Sequence, residues 1–450
     1  MQKVDLTAGG EVKTLVNYSL PFIAATIIQA LFNVTDIIVI GRFSGAADAA
    51  GAGVAGQLLY LIVNAAVGLG AGGTILIGRA AGENDLEKAK EYIAGLFVVF
   101  LVLGAAASVL GYFFGGYALK LLKTPAESMA AAEGYVKTAM AGLVFVFIYN
   151  ALSSVLRGLG DSILPLIIIS VAFVLNVGSD LLTIGVFKMG GKGAALSTVL
   201  SEALASVVAA VVLIKRKKKY GLENFKIKIT GGSVKELLKI GLPVAVLNFT
   251  ATLSFILLAF IVNVFAEAGV PEAHAQAIAA RYNGFAVLPS RAMASAVAAI
   301  AAQNYGADKP ERNKKTYLAG LFICLGLGLI LWALTFFFPE LVLKAFGGVG
   351  ETVAAGKIYM KIMSFDYLLL PAGVIAYGLV EGAGKTWVTM TINVIGSLVI
   401  RAPAAYLLSV VFKMKMTGVG ISIPLASLIC AILIWAYIFI KRKKGVKYFN

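Results

Sequence analysis

The sequence predicts an all-α membrane protein of twelve transmembrane helices arranged as two pseudo-symmetric six-helix bundles. Three observations predict it. Of the 450 residues 60% are hydrophobic and only 14% charged, with a mean hydropathy of +0.90; a soluble protein of this length needs far more polar surface. Twelve apolar segments follow one another, each able to span a hydrocarbon core that takes about 20 helical residues. The sequence also repeats itself once, so what the first six segments build the second six build again.

The segments run near residues 14–41, 50–78, 92–116, 130–156, 163–186, 193–214, 236–266, 275–302, 316–338, 355–380, 387–412 and 418–440. The first is too long for a cleavable signal and lacks a convincing cleavage site, so it reads as the first span. Several exceed the minimum length, which implies tilt or protruding ends. The expected domains are an amino-terminal bundle (1–214), a cytoplasmic linker (215–235) and a carboxy-terminal bundle (236–450), with no stretch left for a soluble catalytic domain. Cys324 and Cys430 lie in separate apolar runs and read as small core or lipid-facing residues.

Orientation follows from the basic residues. KRKKK at Lys215–Lys219, with Lys226, Lys228, Lys235 and Lys239 close behind, follows the sixth span; Lys309, Arg312, Lys314 and Lys315 follow the eighth; KRKK at Lys441–Lys444 follows the twelfth. All follow even-numbered spans, so they share one side, the cytoplasmic one, and both termini lie there in a multi-pass cell (inner) membrane protein. The same clusters account for the net charge of +16. Anchoring to anionic membrane lipid explains them, and no nucleic-acid partner is expected.

Inside the first span, Leu20–Phe43, sits Asp36, beside Asn33 and Thr35. A carboxylate at membrane depth costs about 3 kcal/mol or more, so it faces a protein interior or a wet cavity where a partner or cation offsets that cost. Pro21, earlier in the same helix, removes a backbone donor and marks a bend, a candidate hinge.

The internal repeat has an offset of 222–225. Phe187-Lys188-Met189 with Gly193 matches Phe412-Lys413-Met414 with Gly418; Arg79-Ala-Ala-Gly82 aligns with Gln303-Asn-Tyr-Gly306; Gly158-Leu-Gly160-Asp-Ser aligns with Gly382-Ala-Gly384-Lys-Thr; Ser-Leu-Pro21 mirrors Gly-Leu-Pro243. With six spans per half, both halves enter the membrane from the same side and are related by an axis along its normal. The halves differ where Asp36 becomes Leu258, Asn176 falls against Ile400 or Arg401, Asp180 against Ala404 or Ala405, and Thr198 against Ile423. The scaffold does not need those four polar side chains, since its other copy is built without them.

Asn176 and Asp180, four apart, share one face of the fifth span; Thr198 lies near the start of the sixth, and Asp36 toward the same end of the first. Carboxylate, amide and hydroxyl oxygens suit a hard cation such as Na+, and they suit a proton relay equally. Two carboxylates in one low-dielectric pocket cannot both stay ionised cheaply, so a site whose charge H+ or Na+ can cancel is a coupling site. Other charges at membrane depth are Glu202, Arg291, Asp366 and Arg401. They read either as an ion pair, Asp366 with Arg401, or as the lining of a substrate cavity suited to an anionic or zwitterionic group. His274, the only histidine, sits in a polar stretch read as loop surface.

The leucine–proline pair and buried Asp36 of the first span, RAAGE and QNYGA after the second and eighth, and LRGLGD before the fifth resemble the multidrug and toxic compound extrusion (MATE) family, over about Leu15 to Lys443. The resemblance implies a MATE-like fold and antiport, in which cationic or amphiphilic organic compounds leave as H+ or Na+ enters. It also implies that Asp36, Asn176, Asp180 and Thr198 form the amino-terminal cation site of many prokaryotic members. Some members carry an acid on the seventh span; here that region reads VLNFTATLSF, without one. No organic cofactor is expected, and the protein is expected to act as a monomer. The alternative is a lipid or lipid-linked precursor flippase of the related superfamily, with Arg291 and Arg401 in its favour. An intramembrane enzyme is excluded because one histidine supplies neither a HExxH pair nor a serine–histidine arrangement.

Overall fold

In hydrocarbon every backbone N–H and C=O must find its partner within the segment, which leaves the helix as the default for long apolar runs. The computed structural model of the chain describes residues 5–122, 124–223, 229–265 and 271–443, with Asn33 described by its backbone alone. Among these residues there are helices and no strands. Part of the expected linker (224–228), and the Lys444 end of the last basic cluster, lie outside them.

Among the described residues ten helices are long and apolar enough to span a membrane, and two bent helix pairs bring the candidate spans to twelve. They are α1 (Glu11–Phe43), α2 (Ala46–Gly82), α3 (Leu86–Leu121), α4 (Ala126–Ala141 with Leu143–Gly158), α5 (Ile163–Val186) and α6 (Gly190–Lys215), then α7 (Gly231–Phe265), α8 (Pro271–Gly306), α9 (Arg312–Phe337), α10 (Gly350–Met363 with Asp366–Gly382), α11 (Thr386–Val411) and α12 (Met416–Lys443). Two of them are bent: α4 by 50° at Gly142 and α10 by 44° at Ser364-Phe365. A short helix, Pro339–Ala345, precedes α10. Large apolar side chains such as Phe113, Val174, Phe260 and Phe322 point outward. Water would penalise that surface by about 25 cal/mol per Å², and acyl chains accept it.

The chain forms two compact units, and their boundary is not a simple cut in the linker. One comprises Met1–Asp5 with Leu20–Ala245, the other Leu6–Ser19 with Val246–Asn450. The start of α1 therefore groups with the second half of the chain, and the start of α7 with the first half. Each change of unit falls beside a proline inside its helix, Pro21 and Pro243.

Within the first unit the start of α7 is held by close backbone approach. A Cβ placed on Gly72 of α2 would stand 2.5 Å from the Cα of Gly241, and one on Gly68 would stand 2.6 Å from the Cα of Ala245. Only glycine permits helices to meet at this distance. Tyr92 of α3 donates to the Glu236 carboxylate on the same stretch of α7.

The loop between α4 and α5 anchors the beginning of the linker. Asp161 accepts hydrogen bonds from the Leu164 amide at 3.0 Å, Tyr220 Oη at 2.7 Å and Lys219 Nζ at 3.0 Å. Burial works to raise its carboxyl, but these donors together hold it below its ordinary value. The stabilisation from this lowered value is therefore full above the unfolded carboxylate's ordinary value of 3.8 and is lost as pH falls through the native one. Asp161→Ala is expected to cost about 2–3 kcal/mol at neutral pH, since it strands a buried ammonium and hydroxyl. Thermal denaturation of the variant, with faster amide exchange in 217–222, checks this; an unchanged melting temperature contradicts it.

The two halves also differ in one helical detail. A π-helical turn, Leu181–Val186, ends α5, and its counterpart Leu407–Val411 ends α11, each just before the Phe-Lys-Met repeat. The second half has an additional π turn, Ile395–Arg401. A π turn accommodates one extra residue in a helix. This accounts for the repeat offset rising from 224 at Gly160/Gly384 to 225 at Phe187/Phe412. With the extra residue assigned to this turn, the later offset of 225 sets Arg401 opposite Asn176.

Candidate functional site

Four of the sequence-selected residues meet inside the first unit. Asp36 of α1 and Asn176 and Asp180 of α5 are all buried, at 2%, 0% and 0% exposure. Thr198 Oγ1 of α6 donates to Asp36 Oδ2 at 3.0 Å, and Asn176 Nδ2 donates to Thr198 Oγ1 at 3.3 Å. Asp180 stands beside Asp36, close enough for the two carboxylates to act on each other.

The atoms left over define the chemistry. Asp36 Oδ1, Asn176 Oδ1 and both Asp180 oxygens are buried without a hydrogen-bond donor. Four orphaned acceptors in one low-dielectric spot, two of whose side chains are acids, call for positive charge. A proton shared between the carboxylates, or a hard cation held by carboxylate, amide and hydroxyl oxygens, fits this donor set.

Three further polar residues join the site that the sequence did not single out. Tyr135 of α4 is buried within hydrogen-bonding reach of Asp36. Ser197 and Thr183 share a hydrogen bond of 2.9 Å next to Asp180. Ser197 adjoins Thr198, and Thr183 lies one turn after Asp180, so helical periodicity carries a signal for both; Tyr135 resembles any core tyrosine.

Of the other charges, Glu202 is also in the first unit, four residues after Thr198 on the same face of α6, 5% exposed and with Oε2 unpartnered. Arg291, Asp366 and Arg401 lie in the second unit. Asp366 and Arg401 attract each other through space, yet among the described residues no direct ion pair joins them. His274 is exposed in the first turn of α8 rather than in a loop. Pro21 lies within α1, and α1 continues through it. A half-buried Glu381 near the end of α10, close to Thr389, escaped the sequence reading because it ends an apolar run.

Comparison with known proteins agrees with this architecture. The MatE family model matches the chain twice, over residues 21–182 and 243–407, beginning at the two prolines of the repeat. "Probable multidrug resistance protein YpnP" of Bacillus subtilis is 29% identical, with 100% of both chains covered. A protein of Shewanella oneidensis named "FAD transporter" is 23% identical over 93% of this chain and 92% of its own. Among solved structures, a MOP superfamily transporter from Pyrococcus furiosus superposes with a TM-score of 0.90 at 22% identity, over 98% of each chain. An outward-facing MATE family transporter does so with the same score and identity over 99% of each. The two matches cover most of the sequence, and the chain belongs to the MatE family of multi-pass membrane transporters, which are not enzymes.

Proposed function

We propose that the protein is a cation-coupled antiporter that exports cationic or amphiphilic organic compounds by alternating access. The observation that carries this reading is the set of orphaned acceptors around Asp36 in the amino-terminal unit. H+ or Na+ entering from outside neutralises that set, and its arrival favours one facing state over the other. Asp36 and Asp180 supply the charge, Asn176 and Thr198 orient it, and Tyr135 caps it. Pro21 is the hinge through which α1 responds. The names of the relatives support small organic molecules as the exported class.

Efflux of ethidium, an organic cation, from proteoliposomes under separately imposed Na+ and pH gradients tests the proposal. Acceleration by one gradient is expected. Indifference to both would contradict antiport, and movement of a fluorescent phospholipid in its place would favour the flippase reading, whose supporting observation is the buried Arg401 with the half-buried Arg291 acting on the same Asp366.

The proposed orientation places both termini and the linker in the cytoplasm, on the strength of the basic clusters. A cysteine introduced at Lys218 should resist impermeant maleimide in intact cells and react in inverted vesicles. Labelling only from outside would reverse the topology.

A further inference from the structure

The second unit buries the opposite chemistry. Arg401, at the end of the π turn unique to this half, is 9% exposed and its Nε–H has no acceptor. Its Nη1 reaches Ser254 Oγ only at 3.5 Å, and the Ser254 hydroxyl is itself committed to the Ser397 carbonyl at 2.9 Å. The guanidinium lies over the Phe255 ring, 4.9 Å from its centre. Tyr359, wholly buried in the field of Arg401, has a hydroxyl without a partner, as does Tyr367 near Asp366.

The charges are not paired by contact. Arg401 and Arg291 both act on Asp366, and these three are the ionic groups that sense one another here. Asp366 and Arg401 are buried and Arg291 is half-buried, so among the described residues Arg401 is a cation without a contact ion partner inside a membrane-embedded bundle, which is costly. Around Asp36 the orphaned atoms are acceptors; around Arg401 they are its own Nε–H and the Tyr359 and Tyr367 hydroxyls, with Asp366 Oδ1 the one acceptor among them.

We propose that the carboxy-terminal bundle holds a small monovalent anion of the chloride type against Arg401 Nε–H, between α7, α10 and α11, with Tyr359 as second donor. One negative charge supplies the acceptor that Arg401 Nε–H lacks. An ion of one or a few atoms, rather than an organic anion, suits residues buried this completely. Arg401 occupies the register of Asn176, so the duplicated scaffold carries a cation-accepting position in one half and an anion-accepting one in the other. Asp366 competes with the anion for Arg401 and sets its affinity.

The test uses the full-length protein in detergent, in a gluconate buffer titrated with chloride at constant ionic strength, with the melting temperature as readout. Wild type should show a saturable rise. Arg401→Gln should abolish it, and Tyr359→Phe, which keeps the ring, should weaken chloride by roughly tenfold to 100-fold, the worth of one hydrogen bond to a charged group. Asp366→Asn should tighten chloride by roughly tenfold or more, the scale of one charge–charge interaction at an effective dielectric near 20. A purely structural Asp366–Arg401 attraction would give no such tightening. An equal chloride response in wild type and Arg401→Gln, or no gain in Asp366→Asn, overturns the proposal. If Arg401→Gln does not fold, the Tyr359 and Asp366 variants decide.

Discussion

Asp36→Asn is expected to reduce gradient-driven efflux by about 100-fold or more while leaving substrate binding within about threefold of wild type. The magnitude follows from population arithmetic: an ion moves a two-state equilibrium only by its differential affinity for the two states, and a decisive shift needs roughly 10²–10⁴. Asparagine preserves the shape of the side chain and can still accept from Thr198 Oγ1, which Asp36 Oδ2 does at 3.0 Å. It removes the charge and supplies an amide N–H₂ that meets the neighbouring Asp180 oxygens, both without donors. The variant should thus fold and melt at or above the wild-type temperature, since a like-charge contact is relieved. Efflux and substrate binding measured side by side in proteoliposomes check this. Efflux that follows the ion gradient at near wild-type rate would remove Asp36 from the mechanism.

Gly72→Val is expected to be the most damaging single change outside the polar site. Even a bare Cβ at this position would stand 2.5 Å from Gly241 Cα and N, backbone atoms that no rotamer change can move. Valine adds two methyl groups, so α2 and the start of α7 must separate. Overpacking costs about 1–3 kcal/mol where side chains can yield, and more where backbones collide. The lost close packing adds to that, because helix association in lipid rests on such contacts. A melting temperature lower by several degrees and reduced yield are expected, with Gly53→Val, where a Cβ meets nothing within 4 Å, as the tolerated control. Equal stability of the two variants would contradict the tight α2–α7 contact.

The twelve spans were legible because apolar length alone decides what crosses a bilayer. The bends in α4 and α10 were not, since Gly142 and Ser364-Phe365 interrupt no hydropathy run. Nor was the grouping of Leu6–Ser19 and residues 236–245 with the opposite halves, because hydropathy reports burial in lipid and says nothing of the neighbouring helix. The four-residue site could be read because the repeat supplied its own control: a copy lacking those side chains. Tyr135 was hidden because one tyrosine among small residues carries no mark of its partner. The extra π turn left a trace in the sequence, the rise of the offset from 224 to 225, but only backbone geometry places it at Ile395–Arg401 and so pairs Arg401 with Asn176.

The central claim is that the orphaned acceptors around Asp36 take the coupling cation, and direct cation binding tests it most closely. Equilibrium binding of radioactive Na+ to the purified protein, with proton uptake followed in the same samples in weak buffer, should reveal one cation, Na+ or H+, taken up per chain. Asp36→Asn should lose that uptake, and Glu202→Gln, one turn away on α6, should retain it. Full cation uptake by Asp36→Asn would contradict the account.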